Sequence, residues 1–305
     1  MHKSVLLEEC IAYLNLKDDS IIVDATLGYA GHSSEILKRI PNGHLYAFDQ
    51  DQEAILSSQE RLCKIGSNYT IIKRNFVYLT QALAEKKVEQ VDGILFDLGV
   101  SSPQLDEDHR GFSFHKDAPL DMRMDQSQTL SAKEVVNTYS FQELVRIFRE
   151  YGEEKYAVMI ARGIEQYRQI KPIETTLELV EIIKQHVPEK YRREKHPARK
   201  VFQSIRIEVN QELDVCEQAV RQALKLIRVG GRVCVITFHS LEDRCVKKIF
   251  KENSTIDKNL KNMPVIPDEY LPSYRVIANL EPSQEELEEN NRARSARLRV
   301  IERIK

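Results

Sequence analysis

No run of apolar residues in the 305-residue chain approaches the ~20 that a membrane-crossing helix needs. The opening stretch MHKSVLLEEC meets acids where a secretion signal would continue its apolar core. A soluble chain, in the cytosol and away from membranes, is expected. No C-x-x-C pair occurs. The five cysteines (Cys10, Cys63, Cys216, Cys234, Cys245) are scattered, which argues against a structural metal or disulfide framework and fits reduced thiols. Net charge is nearly absent too. With 45 basic and 47 acidic residues the balance is −2, so any surface for a polyanion must be a local patch. Internal repeats and low-complexity tracts are absent.

What is present is an alternation of short apolar strands and amphipathic helices. Ser20–Ala25, His44–Asp49, Tyr69–Arg74 and Val91–Asp97 read as four buried strands, each followed by a helical pattern, as in a parallel sheet covered on both faces. Beyond a charged loop at Gly99–Gln128 the pattern is helical. Three capping boxes mark helix starts: Ser131/Glu134, Ser140/Glu143 and Thr175/Glu178. Phe202, Ile205, Val209, Leu213, Cys216, Val220, Leu224 and Ile227 keep one helical face, predicting a single helix of about seven turns ended by Gly230 and Gly231. Strand character returns at Arg232–Phe238, Tyr274–Asn279 and Ala296–Ile304, with Ser240 and Asp243 as candidate caps for the helix between the first two. The expectation is an α/β domain of residues 1–104 and 206–305, interrupted by an all-helical insertion at 105–205.

The stretch VDATLGYAGHSSEIL (Val23–Leu37) sets a glycine turn between the first strand and its helix, a place that usually holds a nucleotide-like ligand. Its glycines, Gly28 and Gly31, miss the G-x-G-x-x-G that brings a pyrophosphate close to the backbone. Three strands end in acids, Asp24, Asp49 and Asp97, which would repel phosphate. They suit a cationic ligand with ribose hydroxyls, and S-adenosylmethionine is such a ligand. Asp49 is placed to accept both hydroxyls, a placement shared with NAD sites. Each acid also has a structural reading, as an acceptor of loop amides or a helix cap.

The blocks FDLGVSSPQLD (Phe96–Asp106), RGFSF (Arg110–Phe114), PLDMRMD (Pro119–Asp125), HPARKVFQSIRIEVNQEL (His196–Leu213), FHSLEDRCVK (Phe238–Lys247) and NRARSARLRV (Asn291–Val300) make the chain resemble the bacterial small-subunit ribosomal RNA cytosine-N4 methyltransferases, the MraW or RsmH family. The resemblance spans nearly the whole chain. Ala30 stands where the family usually has glycine, Ser4 where it has proline, and Gln52 where it has the proline of D-x-D-P. The resemblance implies a Rossmann-like seven-stranded sheet of the S-adenosylmethionine-dependent methyltransferases with an inserted helical substrate-recognition domain. It implies cofactor contacts at Ala30, Gly31, His32, Asp49, Phe76, Asp97 and Gln104. It also implies methylation of a cytidine N4 amine in the decoding region of 16S rRNA, within the small ribosomal subunit. A homodimer is left open.

Ser102-Pro103 resembles the Ser/Asp-Pro-Pro turn of amino-methylating enzymes, in which a side-chain oxygen and a backbone carbonyl aim at the target nitrogen. Proline stiffens such a loop. Ser102, Pro103 and Asp97 are therefore the candidate catalytic residues, while an ordinary loop start is the plain alternative. No metal is needed. RNA contacts are expected from two basic clusters, Arg192, Arg193, Arg199 and Lys200, and Arg294 and Arg297 near the C-terminus. His196 and His239 read as local caps or structural hydrogen-bonders, and Asp121, Arg123 and Asp125 as an ion-paired loop. Two other readings stand beside the enzyme: an assembly factor that binds S-adenosylmethionine and rRNA without turnover, and an NAD-dependent dehydrogenase, which the missing glycine pattern disfavours.

Overall fold

The computed structural model describes residues 4–100, 108–194, 196–256, 260 and 266–305. The chain divides into two compact units, Met1–Gly99 with Leu213–Lys305, and Val100–Glu212.

The first unit holds one sheet of seven strands: β1 (Ile21–Asp24), β2 (His44–Asp49), β3 (Tyr69–Lys73), β4 (Val91–Asp97), β5 (Ile227–Thr237), β6 (Tyr274–Leu280) and β7 (Arg297–Arg303). Their order across the sheet is β3-β2-β1-β4-β5-β7-β6. The first five are parallel, and β7 runs antiparallel between β5 and β6. Successive residues of a strand face opposite sides, so each strand feeds two cores. Val23, Ile94, Phe96, Val233 and Val235 pack on one face with Leu79, Leu83, Val220, Leu224, Ile249 and Phe250 from helices. Ile22, Leu95, Cys234 and Ile236 pack on the other with Leu6, Cys10, Leu14, Ile36, Leu37 and Leu62. Burying each large aliphatic or aromatic side chain contributes roughly 1.5–3 kcal/mol. That two-sided burial is why these strands read as continuous apolar runs.

The second unit is built from helices, among them Ala132–Thr138, Phe141–Glu150, Ala157–Arg168, Thr176–Gln185 and Ala198–Asn210. All three expected capping boxes form, at Ser131/Glu134, Ser140/Glu143 and Thr175/Glu178. Leu144, Ile147, Phe148, Ile160, Ile164, Ile183, Val201 and Ile205 make its own core. Asp121 takes a two-pronged grip from Arg123 at 2.9 and 2.7 Å, while Asp125 accepts from Ser127.

Three local expectations need correction. The single helix expected from Phe202 to Ile227 is two, Ala198–Asn210 and Glu212–Leu226. The chain breaks at Gln211, which is left-handed at φ 50° and ψ 36°. Asn210 helps end the first helix, since its side chain bonds the backbone of Met122 and Met124 at 2.8 Å each. Gly230 and Gly231 do not end a helix. They lie within β5, whose register with β4 shifts between Val91 and Gly93, and Gly230 has φ +83°. The helix Ser240–Ser254 is capped by His239 with Glu242, not by Ser240 and Asp243. The His239 ring nitrogen accepts from the Glu242 amide, and the Glu242 carboxylate accepts from the His239 amide. Asp243 is instead gripped by Arg299 at 2.7 and 2.9 Å.

Candidate cofactor site

In this sheet order the direction of winding reverses between β1 and β4, and ligands of open α/β sheets bind beyond the carboxyl ends of the strands at such a point. The two central strands end in Asp24 and Asp97, and the neighbouring β2 ends in Asp49.

Asp24 is the structural member. It is 1% exposed. One oxygen accepts from the Thr26 amide at 3.1 Å and the other from the Ser33 hydroxyl at 2.6 Å. It thereby ties β1 to the loop and to the helix Gly31–Arg39 that follows. Burial raises its pKa, and these hydrogen bonds pull it partly back. Thr26 carries the tie onward, because its hydroxyl accepts from the Asp97 amide at 2.7 Å.

Asp49 shapes the glycine turn. Its Oδ2 accepts from the Gly28 amide at 2.8 Å and its Oδ1 from the Asp51 amide at 2.9 Å. A carboxylate has about four acceptor positions, so each oxygen retains capacity for a hydroxyl. Burial pushes its pKa up to about 6, against the pull of the amides. Asp51 itself caps the helix Gln52–Leu62. Gly28 and Ala30 are both left-handed, at φ 48° and 58°. Ala30 thus occupies a conformation that glycine adopts freely, at a cost on the order of 1–2 kcal/mol, and its methyl is fully buried. A Cβ on Gly31 would lie 1.8 Å from the Ser4 hydroxyl, so a larger residue there would force Ser4 to move.

His32 is 4% exposed. Its Nε2 donates to the Val5 carbonyl at 3.1 Å, and its Nδ1 stands 3.6 Å from Asp97 Oδ2. Burial lowers its pKa to about 4, so the ring is neutral near pH 7. Asp97 is pushed the other way, to about 8, by burial first and then by Asp24 and Glu242. About a quarter of its side chain (27%) remains open, so water offsets part of that push. Its Oδ1 is buried and has no hydrogen-bond partner among the described residues. Phe76, in the short helix after β3, is half-buried and meets Phe96 edge-on at 5.7 Å.

Ala30, Gly31 and His32 follow one another in the turn, which Asp49 holds through the Gly28 amide and Asp97 faces through His32 at 3.6 Å. Phe76 lies just after β3, the strand beside β2. Ser102, Pro103 and Gln104 lie outside the described residues. Arg192, Arg193 and Arg199 are exposed, with Arg193 paired to Glu189. Lys200 donates to the Glu153 carbonyl at 2.7 Å. Arg294 is exposed, and Arg297 is engaged by Glu281 and Asn279. Sequence reading missed Thr26, Ser33 and Val5, which hold the acids and His32 in place. A Thr two residues beyond a strand-end Asp was the one local signal for them.

A polar group buried without a partner costs free energy and persists where a ligand satisfies it. The Asp97 oxygen without a partner among the described residues, the acceptor capacity on Asp49 and the three strand-end acids fit a cationic nucleoside cofactor. The sheet order and this acid-lined turn define an α/β enzyme of the S-adenosylmethionine-dependent methyltransferase class. Residues 1–304 match the MraW methylase family, and the chain belongs to it. It is 54% identical over 307 residues to the protein named ribosomal RNA small subunit methyltransferase H of Exiguobacterium sibiricum, covering 100% of this chain and 98% of that protein. Among solved structures it is similar to an rRNA methylase from Streptococcus thermophilus, with 13% identity, coverage of 100% and 99%, and a TM-score of 0.46. A SAM-dependent O-methyltransferase from Thermotoga maritima is similar at 10% identity, with coverage of 100% and 68% and a TM-score of 0.41.

Proposed function

We propose that this methyltransferase acts in the cytosol on the N4 amine of a cytidine in the decoding region of 16S rRNA, within the small ribosomal subunit. The observation that carries the cofactor side is the buried Asp97 oxygen, without a partner among the described residues, beside two further strand-end acids. The substrate side is supported by the 54% identity to a protein named for small-subunit ribosomal RNA.

S-adenosylmethionine, when bound, supplies an activated methyl group on a cationic sulfur. Asp49 would accept the ribose hydroxyls with its remaining lone pairs. Ala30, Gly31 and His32 would wall the cofactor on the side of the turn, and Phe76 and Gln104 would contact it as the family resemblance implies. Asp97 would offer negative charge to the cationic end. The cytosine amine is a weak nucleophile, because its lone pair is delocalised into the ring. Acceptors that hold its hydrogens favour a pyramidal nitrogen and receive the proton that must leave. Ser102, the carbonyls beside Pro103, and Asp97 fill that role, so the chain contributes alignment and electrostatics. The target base must be unpaired or extruded to reach the site. Arg192, Arg193, Arg199 and Lys200 of the helical unit, and Arg294 and Arg297 of the sheet unit, are the basic residues proposed to contact the RNA.

The test is to incubate the protein and methyl-labelled S-adenosylmethionine with unmodified small subunits and, separately, with naked rRNA, then digest to nucleosides. Label in N4-methylcytidine is expected. Label in any other nucleoside would overturn the choice of atom, and no label in either RNA would overturn the substrate.

A further inference from the structure

Two motifs far apart in the sequence, RGFSF and HPARK, meet inside the helical unit. The rings of Phe114 and His196 are stacked, with centroids 4.5 Å apart and planes 24° from parallel. His115 lies 4.4 Å from Phe114 and 5.5 Å from His196. Beneath them, Phe202 meets Phe114 edge-on at 5.6 Å. The rings are graded from inside to outside. Phe202 belongs to the core at 3% exposure, Phe114 and His196 are half-buried, and His115 is exposed.

The exposed member, His115, is a flat ring rather than a flexible polar chain, and Nδ1 of half-buried His196 is enclosed without a hydrogen-bond partner among the described residues. Burial first, then His115 and Lys184, lower the His196 pKa, which favours the uncharged ring with its aromatic face. Two basic side chains stand near the column. Lys184, paired to Glu181 at 2.7 Å, acts on His196, and exposed Arg199 sits one turn further along, its amide bonded to the His196 carbonyl at 3.2 Å. A stepped aromatic column beside positive charge is what single-stranded nucleic acid asks of a protein, since every base has a π-face and every linkage a phosphate.

We propose that the Phe114–His115–His196 column is a stacking platform for an unpaired base of the RNA substrate, with Arg199 and Lys184 drawing the adjoining phosphates. Phe202 is the anchor that keeps the column upright. His115 supplies the open face on which the base lies. The proposal rests on the reading that the substrate is RNA.

The experiment uses the full-length protein and unmodified small-subunit rRNA, with binding followed by fluorescence anisotropy and S-adenosylmethionine affinity measured separately by calorimetry. His115→Ala should weaken RNA binding about tenfold and leave cofactor affinity and melting temperature unchanged. His115→Phe keeps a flat ring and should restore RNA affinity. RNA binding unchanged in both variants would overturn the platform, as would a loss with Phe equal to that with Ala. Failure of the unmodified protein itself to bind the rRNA would instead overturn the RNA reading.

Discussion

His32 Nδ1 and Asp97 Oδ2 stand 3.6 Å apart, on a histidine whose other nitrogen already donates to the Val5 carbonyl. The facing nitrogen is therefore a bare acceptor while the ring is neutral. An ionised Asp97 would set its charge against that lone pair, whereas a protonated Asp97 can turn its O–H toward it. The pair thus stores a proton at the carboxyl, in line with an Asp97 pKa pushed up to about 8 and a His32 pKa held near 4.

A cation arriving beside Asp97 favours the carboxylate and must expel that proton. Affinity for S-adenosylmethionine is expected to rise about tenfold between pH 7 and pH 9, levelling off above the free-protein pKa of about 8. Calorimetry at pH 7 in two buffers of different ionisation enthalpy should show release of close to one proton. An affinity flat from pH 6.5 to 9 would remove Asp97 from the linkage.

The same carboxyl makes the empty fold pay at high pH. Its folded pKa lies above the unfolded value, so its contribution is fully present below about pH 4 and is lost as pH rises through about 8. Asp97→Asn, which cannot ionise, is expected to raise the melting temperature at pH 8.5, to change it little at pH 5, and to abolish cofactor binding. An unchanged melting temperature at pH 8.5 would mean that water relaxes the site more than its burial implies.

Gly31 and Ser4 should behave as a coupled pair. A Cβ at residue 31 meets the Ser4 hydroxyl at 1.8 Å and its Cβ at 3.1 Å. Gly31→Ala is expected to destabilise by about 1–3 kcal/mol, and Ser4→Gly in the same chain should recover most of that. Additive effects in the double-mutant cycle, followed by chemical denaturation, would contradict the contact.

Gln211 sits at φ 50° between two helices and is exposed. Gln211→Gly is expected to stabilise by about 0.5–1 kcal/mol, because glycine adopts the left-handed cap without strain. Gln211→Ala should give no such gain. Denaturant midpoints for the two variants decide it.

Much of this architecture could be read from residue pattern alone. The strands at Ile21, His44, Tyr69 and Val91 were legible because burial on both faces leaves no polar alternation to confuse them, and the capping boxes because their partners are three residues apart. The break at Gln211 was hidden. Val209 and Leu213 keep a helical spacing of four across it, and the cause, Asn210 bonding to Met122 and Met124, is a tertiary event. The start of β5 was hidden by glycines that mark an irregularity inside a strand. His239 was legible as a local cap and is one, although Ser240 and Asp243, of the commoner capping types, stood just beyond it as competing candidates. Around the turn, the strand-end position of each acid was visible. Their keepers, Thr26, Ser33 and Val5, come together only when β1, β4 and the N-terminal segment have folded.

β4 and β5 are neighbours in the sheet, yet β4 ends at Asp97 and β5 begins at Ile227. During synthesis the first four strands leave the ribosome with the β4 edge bare, and its partner follows on the order of ten seconds later at usual elongation rates. In that interval the intervening helices, which carry a core of their own, can assemble while the half-sheet waits. An unpaired strand edge is sticky. The newborn chain is therefore most exposed to aggregation and to chaperones just before residues 227–237 emerge, and slowing translation across the helical segment should lower the soluble yield.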